Sequence, residues 1–158
     1  GKLVVIHQDG SFKFGRAVNS LITLTDGVTE AFQKIRIMDI LDTIANDIVS
    51  TFRLSYVGKL QNTFTNKCMF ISAVNAYLEG LAAEGLLDPA NANKVYLSVA
   101  KIKAYLKGKG QDITDMTDKE IERANTGSYV FLDGVCSPTD AMEDLDLGMY
   151  LFQAMQEV

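Results

Sequence analysis

The chain has 158 residues, 47% hydrophobic and 22% charged, and 20 acidic against 15 basic side chains leave a formal charge of −5. That length fits one domain with a real core, and the acid excess argues against a phosphate-neutralising surface, so nucleic acid is not an expected partner. No run approaches the roughly 20 continuous apolar residues of a membrane span, and no basic-then-apolar leader is visible, so a soluble, unsecreted protein without membrane insertion is expected.

The chain opens at Gly1 without an initiator Met, as a piece of a longer polypeptide would. Residues 3–6 and 12–14 flank QDGS, and Asp9-Gly10 is a dipeptide favoured where a tight turn needs positive φ, which predicts a β-hairpin. A connecting segment follows, with a short apolar run at 21–24 and a second turn at Asp26-Gly27.

A long helix is predicted from Thr29 or Phe32 to Tyr56. Ile37, Leu41, Ile44, Ala45, Ile48 and Phe52 recur at helical spacing as one apolar stripe. Gly58 can close it in a left-handed cap, which Gly adopts without a Cβ penalty. A second helix is predicted over 66–83, burying Met69 or Phe70, Ile71, Val74, Leu78 and Leu81, with Gly85 as its stop. A third is predicted from an Asp88-Pro89 cap to Lys107, with Val95, Val99, Ile102 and Leu106 as its stripe. Thr117 and Glu120 fit a capping box that opens a short helical turn.

Residues 129–132 are strand-like, LDG bends them, and 135–137 continue the run. Pro138 to Glu143 is read as a corner, and 147–152 is the last strand candidate. The expected class is α+β: a small mixed sheet, made by the N-terminal hairpin and the C-terminal strands, packed against about three helices in a single domain.

Few groups here suggest chemistry. His7 lies on the hairpin without an evident nucleophile or orienting partner. Cys68 and Cys136 form no C-x-x-C and are expected as buried free thiols in a reducing cytosol. The serine-hydrolase elbow and the P-loop are absent, and the GKG at 108–110 follows a helix instead of opening one. Asp112, Asp115, Asp118 and Glu120 lack the register of a calcium loop. Glu143, Asp144 and Asp146 form the one carboxylate cluster that acid/base work would use, against the simpler reading of a solvated face. Neither a metal nor a cofactor is expected. Strands at both ends of a chain with few reactive groups suit assembly by sheet-edge pairing.

RIMDILDTIANDI from Arg36, YVGKLQN from Tyr56 and GSYVFLDGVCSPTDAMEDLDLGMYL from Gly127, with NSLITLTD upstream, resemble the C-terminal part of contractile phage tail sheath proteins. The matching positions are Arg36, 41–48, Gly58-Lys59, Asn62, Pro138 and 140–143; VGK stands where the family more often has IGK, and DLDLGMYL is more acidic than usual.

The resemblance implies a non-enzymatic structural subunit. It would polymerise helically around a tail tube, exchange β-strands with other sheath subunits, and contract to drive the tube through a cell envelope. It would belong to the virion tail, assembled in the host bacterial cytoplasm. The domain would face the tube protein through the charged side of the long helix, with Lys34, Arg36, Asp39, Asp42 and Asp47 as candidates. Leu147, Met149, Tyr150, Leu151 and Phe152 would form the inter-subunit strand. Two rivals stand beside this reading: a sheath-like domain of another contractile injection system or bacteriocin, and a small enzyme using the Glu143, Asp144 and Asp146 carboxylates in a pocket that raises their pKa values.

Overall fold

The computed structural model describes residues 2–25 and 29–148. Strands β1 (Lys2–Gln8) and β2 (Ser11–Val18) form an antiparallel hairpin, with Gln8 opposite Ser11. Asp9 and Gly10 have φ of 51° and 75°, the paired positive angles of the turn that matches strand twist. The register slips between Val4 and Val5, where Gly15 is the extra residue on β2. A Cβ at Gly15 would lie 2.5 Å from Ile6 Cδ1, so the side chain of Ile6 occupies the space that the bulge leaves.

A 3₁₀ turn (Glu30–Gln33) leads into α1 (Ile35–Ser55). The buried line of α1 is Ile37, Ile40 and Ile44, while Leu41 is half-buried and Ala45 exposed. The stripe is therefore rotated slightly from the predicted one, because only the side of α1 that meets α2 is covered. Helix α2 (Phe64–Ala83) starts at Thr63, whose hydroxyl accepts from Asn66 N–H, and buries Phe70, Val74 and Leu78. These side chains pack with Ile40, Ile44 and Leu87 as one core cluster. Met69 is exposed, so of the two alternatives Phe70 is the core residue.

The segment 88–107 departs from expectation. Asp88 does not cap a helix; its carboxylate accepts from Ala90 N–H and Asn91 Nδ2 in a local turn. Strand β3 (Lys94–Leu97) follows, and only then α3 (Val99–Gly108), capped by Ser98. The side chain of Asn75 on α2 bonds both the N–H and the C=O of Val95, a pairing that holds this backbone extended. Ile102 and Leu106 pack with Leu97, Ile113 and Ile121 in a second core cluster, and Leu132 touches both clusters. Helix α4 (Asp118–Arg123) opens on the predicted capping box of Thr117 and Glu120.

Asp133 and Gly134 do not bend the chain but lie within β4 (Leu132–Val135), which pairs antiparallel with β3. The class is α+β, yet the expected shared sheet is not found: among the described residues the hairpin is one two-stranded sheet and β3–β4 another. β3 and β4 pack over the second cluster, with Leu97 opposite Leu132, whereas the hairpin is bridged from Val18 to Lys34 at the start of α1. The predicted turn at Asp26-Gly27 and most of the last strand candidate lie outside the described residues. No described helix is long and apolar enough to cross a membrane. Cys68 is half-buried and Cys136 exposed, so neither is the fully buried thiol expected.

Candidate functional site

The carboxylate corner joins the two ends of the described chain. Glu143 accepts from Lys34 Nζ and, at 3.0 Å, from Arg16 Nε; Asp140 lies 3.3 Å from Lys34 Nζ, and Arg16 also donates to Asp144. Arg36 Nε donates to the carbonyl of Thr139 at 3.3 Å. Strand β2, the start of α1 and the strap 139–144 thus meet in one ionic junction. The hydrogen bond from Lys34, helped by Arg16, holds the Glu143 carboxyl below its ordinary range despite partial desolvation. A general acid needs the opposite shift. Glu143 is saturated with cations and serves here as a tie.

The predicted helix residues divide by what they touch. Lys34 and Arg36 are engaged with the strap. Asp47 accepts from the Tyr77 hydroxyl at 2.6 Å, and desolvation followed by that bond pushes the Tyr77 phenol up to about 12. Asp39 and Asp42 are exposed and make no ion pair among the described residues. Leu147 is exposed, while Met149, Tyr150, Leu151 and Phe152 lie outside the described residues. The acidic set at 112–120 is used locally: Asp112 accepts from Thr114, Asp118 from Lys103, and Glu120 from Thr117.

The hairpin exposes several large apolar side chains. Leu3, Val5 and Ile6 are 57%, 52% and 47% exposed and Phe12 is 78% exposed, although Phe12 leans on the ring of His7 at 4.7 Å. Among the described residues β1 pairs only with β2, and the far side of β2 is touched by a single bridge from Val18 to Lys34. A lone hairpin is marginal in water, and an apolar unpaired edge is a template for another strand.

At the other end of α1, Gly58 has φ of 71° and turns the chain into Asn62. The Asn62 amide donates to the carbonyls of Gly127 at 2.7 Å and Tyr129 at 2.9 Å, pinning the 127–129 loop. Thr126 Oγ1 accepts from Lys67 Nζ at 2.9 Å and donates to the Tyr129 carbonyl at 2.6 Å. Lys67 is only 4% exposed, and desolvation lowers its pKa. Sequence reasoning passed over Lys67, although the signal was present. It occupies the apolar stripe of α2, three residues before Phe70 and seven before Val74.

The phage tail sheath C-terminal domain profile matches residues 28–152. A tail sheath protein of Clostridium phage phiCD119 is 40% identical over 147 residues, covering 93% of this chain and 41% of that protein. The chain thus spans less than half the length of that relative. The helix-and-turn segment that ends at Asn62 and the strap that follows Pro138 both lie within the residues that the family profile matches. The chain belongs to the phage tail sheath C-terminal domain family.

Proposed function

We propose that this chain is the assembly domain of a contractile tail sheath subunit, a single structural domain without catalysis of its own. It polymerises helically around a tail tube in the virion tail, after assembly in the host bacterial cytoplasm, and takes part in the contraction that drives the tube through the target envelope. The observation that carries this reading is the apolar hairpin with its open edge, next to a strap that leads into the apolar residues 147–152. Strands offered at both ends let each subunit complete a neighbour's sheet with main-chain hydrogen bonds.

Of the five candidates Lys34, Arg36, Asp39, Asp42 and Asp47, Asp39 and Asp42 are the two that meet the tube. Among the described residues they make no ion pair, whereas Lys34, Arg36 and Asp47 are engaged within the chain. Such contacts are modest, about 0–1 kcal/mol per exposed pair, which suits an interface that must break on contraction. The same geometry serves a tail-derived bacteriocin or another contractile injection system equally well.

Negative-stain electron microscopy of the concentrated protein tests the proposal. Tubes with regular helical striation are expected, and a Leu3→Asp/Val5→Asp variant should lose them while keeping its helical circular dichroism. A protein that stays monomeric at high concentration, or tubes indifferent to the hairpin substitutions, would remove the hairpin as the assembly edge.

A further inference from the structure

A hollow of about 450 Å³ opens between the end of α1, the turn after it and the 127–130 loop. Its lining is apolar where Phe52, Tyr56 and Val57 contribute and polar where Asn62 and Lys67 do. Lys67, 4% exposed, donates to Thr126 Oγ1 and faces no carboxylate among the described residues. A buried ammonium without a counter-ion is costly. Asn62 Oδ1, also buried, accepts from no donor there. The site therefore offers a cation that lacks an anion, an acceptor that lacks a donor, and an apolar wall. An acidic peptide supplies all three complements, through a carboxylate, a backbone N–H and flanking apolar side chains.

The chain displays such a segment. Leu145 and Leu147 are 87% and 69% exposed, and Asp146 between them makes no ion pair among the described residues, unlike Asp140, Glu143 and Asp144 just before it. When the segment is extended its side chains alternate, which puts the two leucines on one side and Asp146 on the other, as a cleft with one apolar and one polar side requires.

The segment cannot fill its own hollow. Glu143 is tied to Lys34 at the start of α1 and to Arg16 on β2, and Asp144 to Arg16, whereas the hollow lies at the other end of α1, and 21 helical residues span about 30 Å. Two residues of chain reach only about 7 Å past Asp144.

We infer that residues 145–147 of one copy dock in the Lys67 hollow of a second copy, with Asp146 against the Lys67 ammonium and the leucines against Phe52 and Tyr56. The inference rests on the assembly reading only in taking its partner to be another copy. It uses neither the hairpin nor strand exchange.

The test is a capped peptide of residues 143–148 (EDLDLG), titrated into the whole protein and followed by NMR at the Asn62 side-chain amide and the Lys67 ammonium. Saturable shifts at both groups are expected, with about tenfold weaker binding for the peptide carrying Asp146→Asn, the step that 1.4 kcal/mol represents. The Lys67→Met protein should no longer distinguish the two peptides. No shifts at millimolar peptide, shifts confined to the hairpin, or equal binding of both peptides would each overturn the inference. Peptide binding without tubes in the microscope would sink the sheath-assembly reading and leave this site standing.

Discussion

Replacing Thr126 by Val removes one hydroxyl and almost no volume, at a residue 1% exposed. The hydroxyl is the acceptor that Lys67 Nζ reaches at 2.9 Å. Its other contacts are less exposed to loss: the Tyr129 carbonyl keeps its bond from Asn62 at 2.9 Å, and the Asn62 amide keeps Gly127 at 2.7 Å. The cost is thus mainly that of a buried ammonium losing its acceptor, about 2–3 kcal/mol for a hydrogen bond to a charged group. Lys67→Met removes the charge and keeps an unbranched apolar stem, so alone it should be neutral or stabilising by about 1 kcal/mol. In that background Thr126→Val should cost under about 1 kcal/mol, which makes the coupling about 1–3 kcal/mol.

Urea unfolding followed by circular dichroism at pH 7 measures all four corners of the cycle. A pH series supplies the sign. Burial depresses the folded-state pKa of Lys67 below its ordinary 10.5, so between those two values the unfolded chain binds more protons and stability rises with pH. Tyr77 acts oppositely above about pH 10, since its phenol is held up to about 12 in the fold. The difference between wild type and Lys67→Met isolates the lysine. Additive substitutions, or a difference flat with pH, would mean that Lys67 reaches water and that the buried-ammonium argument fails.

At the ionic junction the Glu143 carboxyl is held down, chiefly by Lys34, so its contribution is present above its ordinary pKa of 4.5 and is lost as pH falls through the lower folded value. Glu143→Gln should remove that acid-limb dependence and speed hydrogen exchange in 139–144 at neutral pH; exchange unchanged from wild type would refute the tie. Leu78→Ala, at a residue 2% exposed in the first core cluster, should cost about 2–5 kcal/mol by urea unfolding. Gly58→Ala should cost about 1–2 kcal/mol from backbone conformation alone, because a Cβ there meets nothing within 4 Å. Thr117→Ala should cost about 1 kcal/mol by loss of the capping box, read as lower protection of α4 in hydrogen exchange.

What was legible in the sequence was local chemistry. Asp9-Gly10 makes its turn with its own two φ angles, Thr117 and Glu120 cap within one helical turn, and α1 and α2 follow from apolar spacing. The segment 88–107 was misread because Val95 and Val99 happen to sit at helical spacing. What makes 94–97 a strand is remote, namely the side chain of Asn75 and the partner strand β4. The ionic junction was equally hidden, since Lys34 and Glu143 are 109 residues apart and Arg16 and Asp144 are 128 apart. Charges spaced so widely carry no periodicity. Lys67 differs, because a lysine within an apolar stripe is visible in one helix alone and demands a partner.

The two halves of the described chain are held by different forces. The helices and β3–β4 share two apolar clusters joined through Leu132, and burial of that kind is lost only by unfolding. The strap is anchored at Thr139 to the carbonyls of Gly85 and Leu86, and beyond that point it meets the hairpin and the start of α1 through ion pairs of Arg16 and Lys34 with Glu143 and Asp144, of which the Arg16–Asp144 pair is the most exposed, 44% and 83% at the side chains. An exposed pair such as Arg16–Asp144 contributes about 0–1 kcal/mol, so the hairpin and the strap beyond Thr139 can leave their places more readily than the clustered core unfolds. The proposed role, in which terminal segments join neighbours that later slide past one another, needs that division. Glu143 accepts from both Lys34 and Arg16, so its loss frees hairpin and strap together, and exchange in Glu143→Gln should rise in both before it rises in α2.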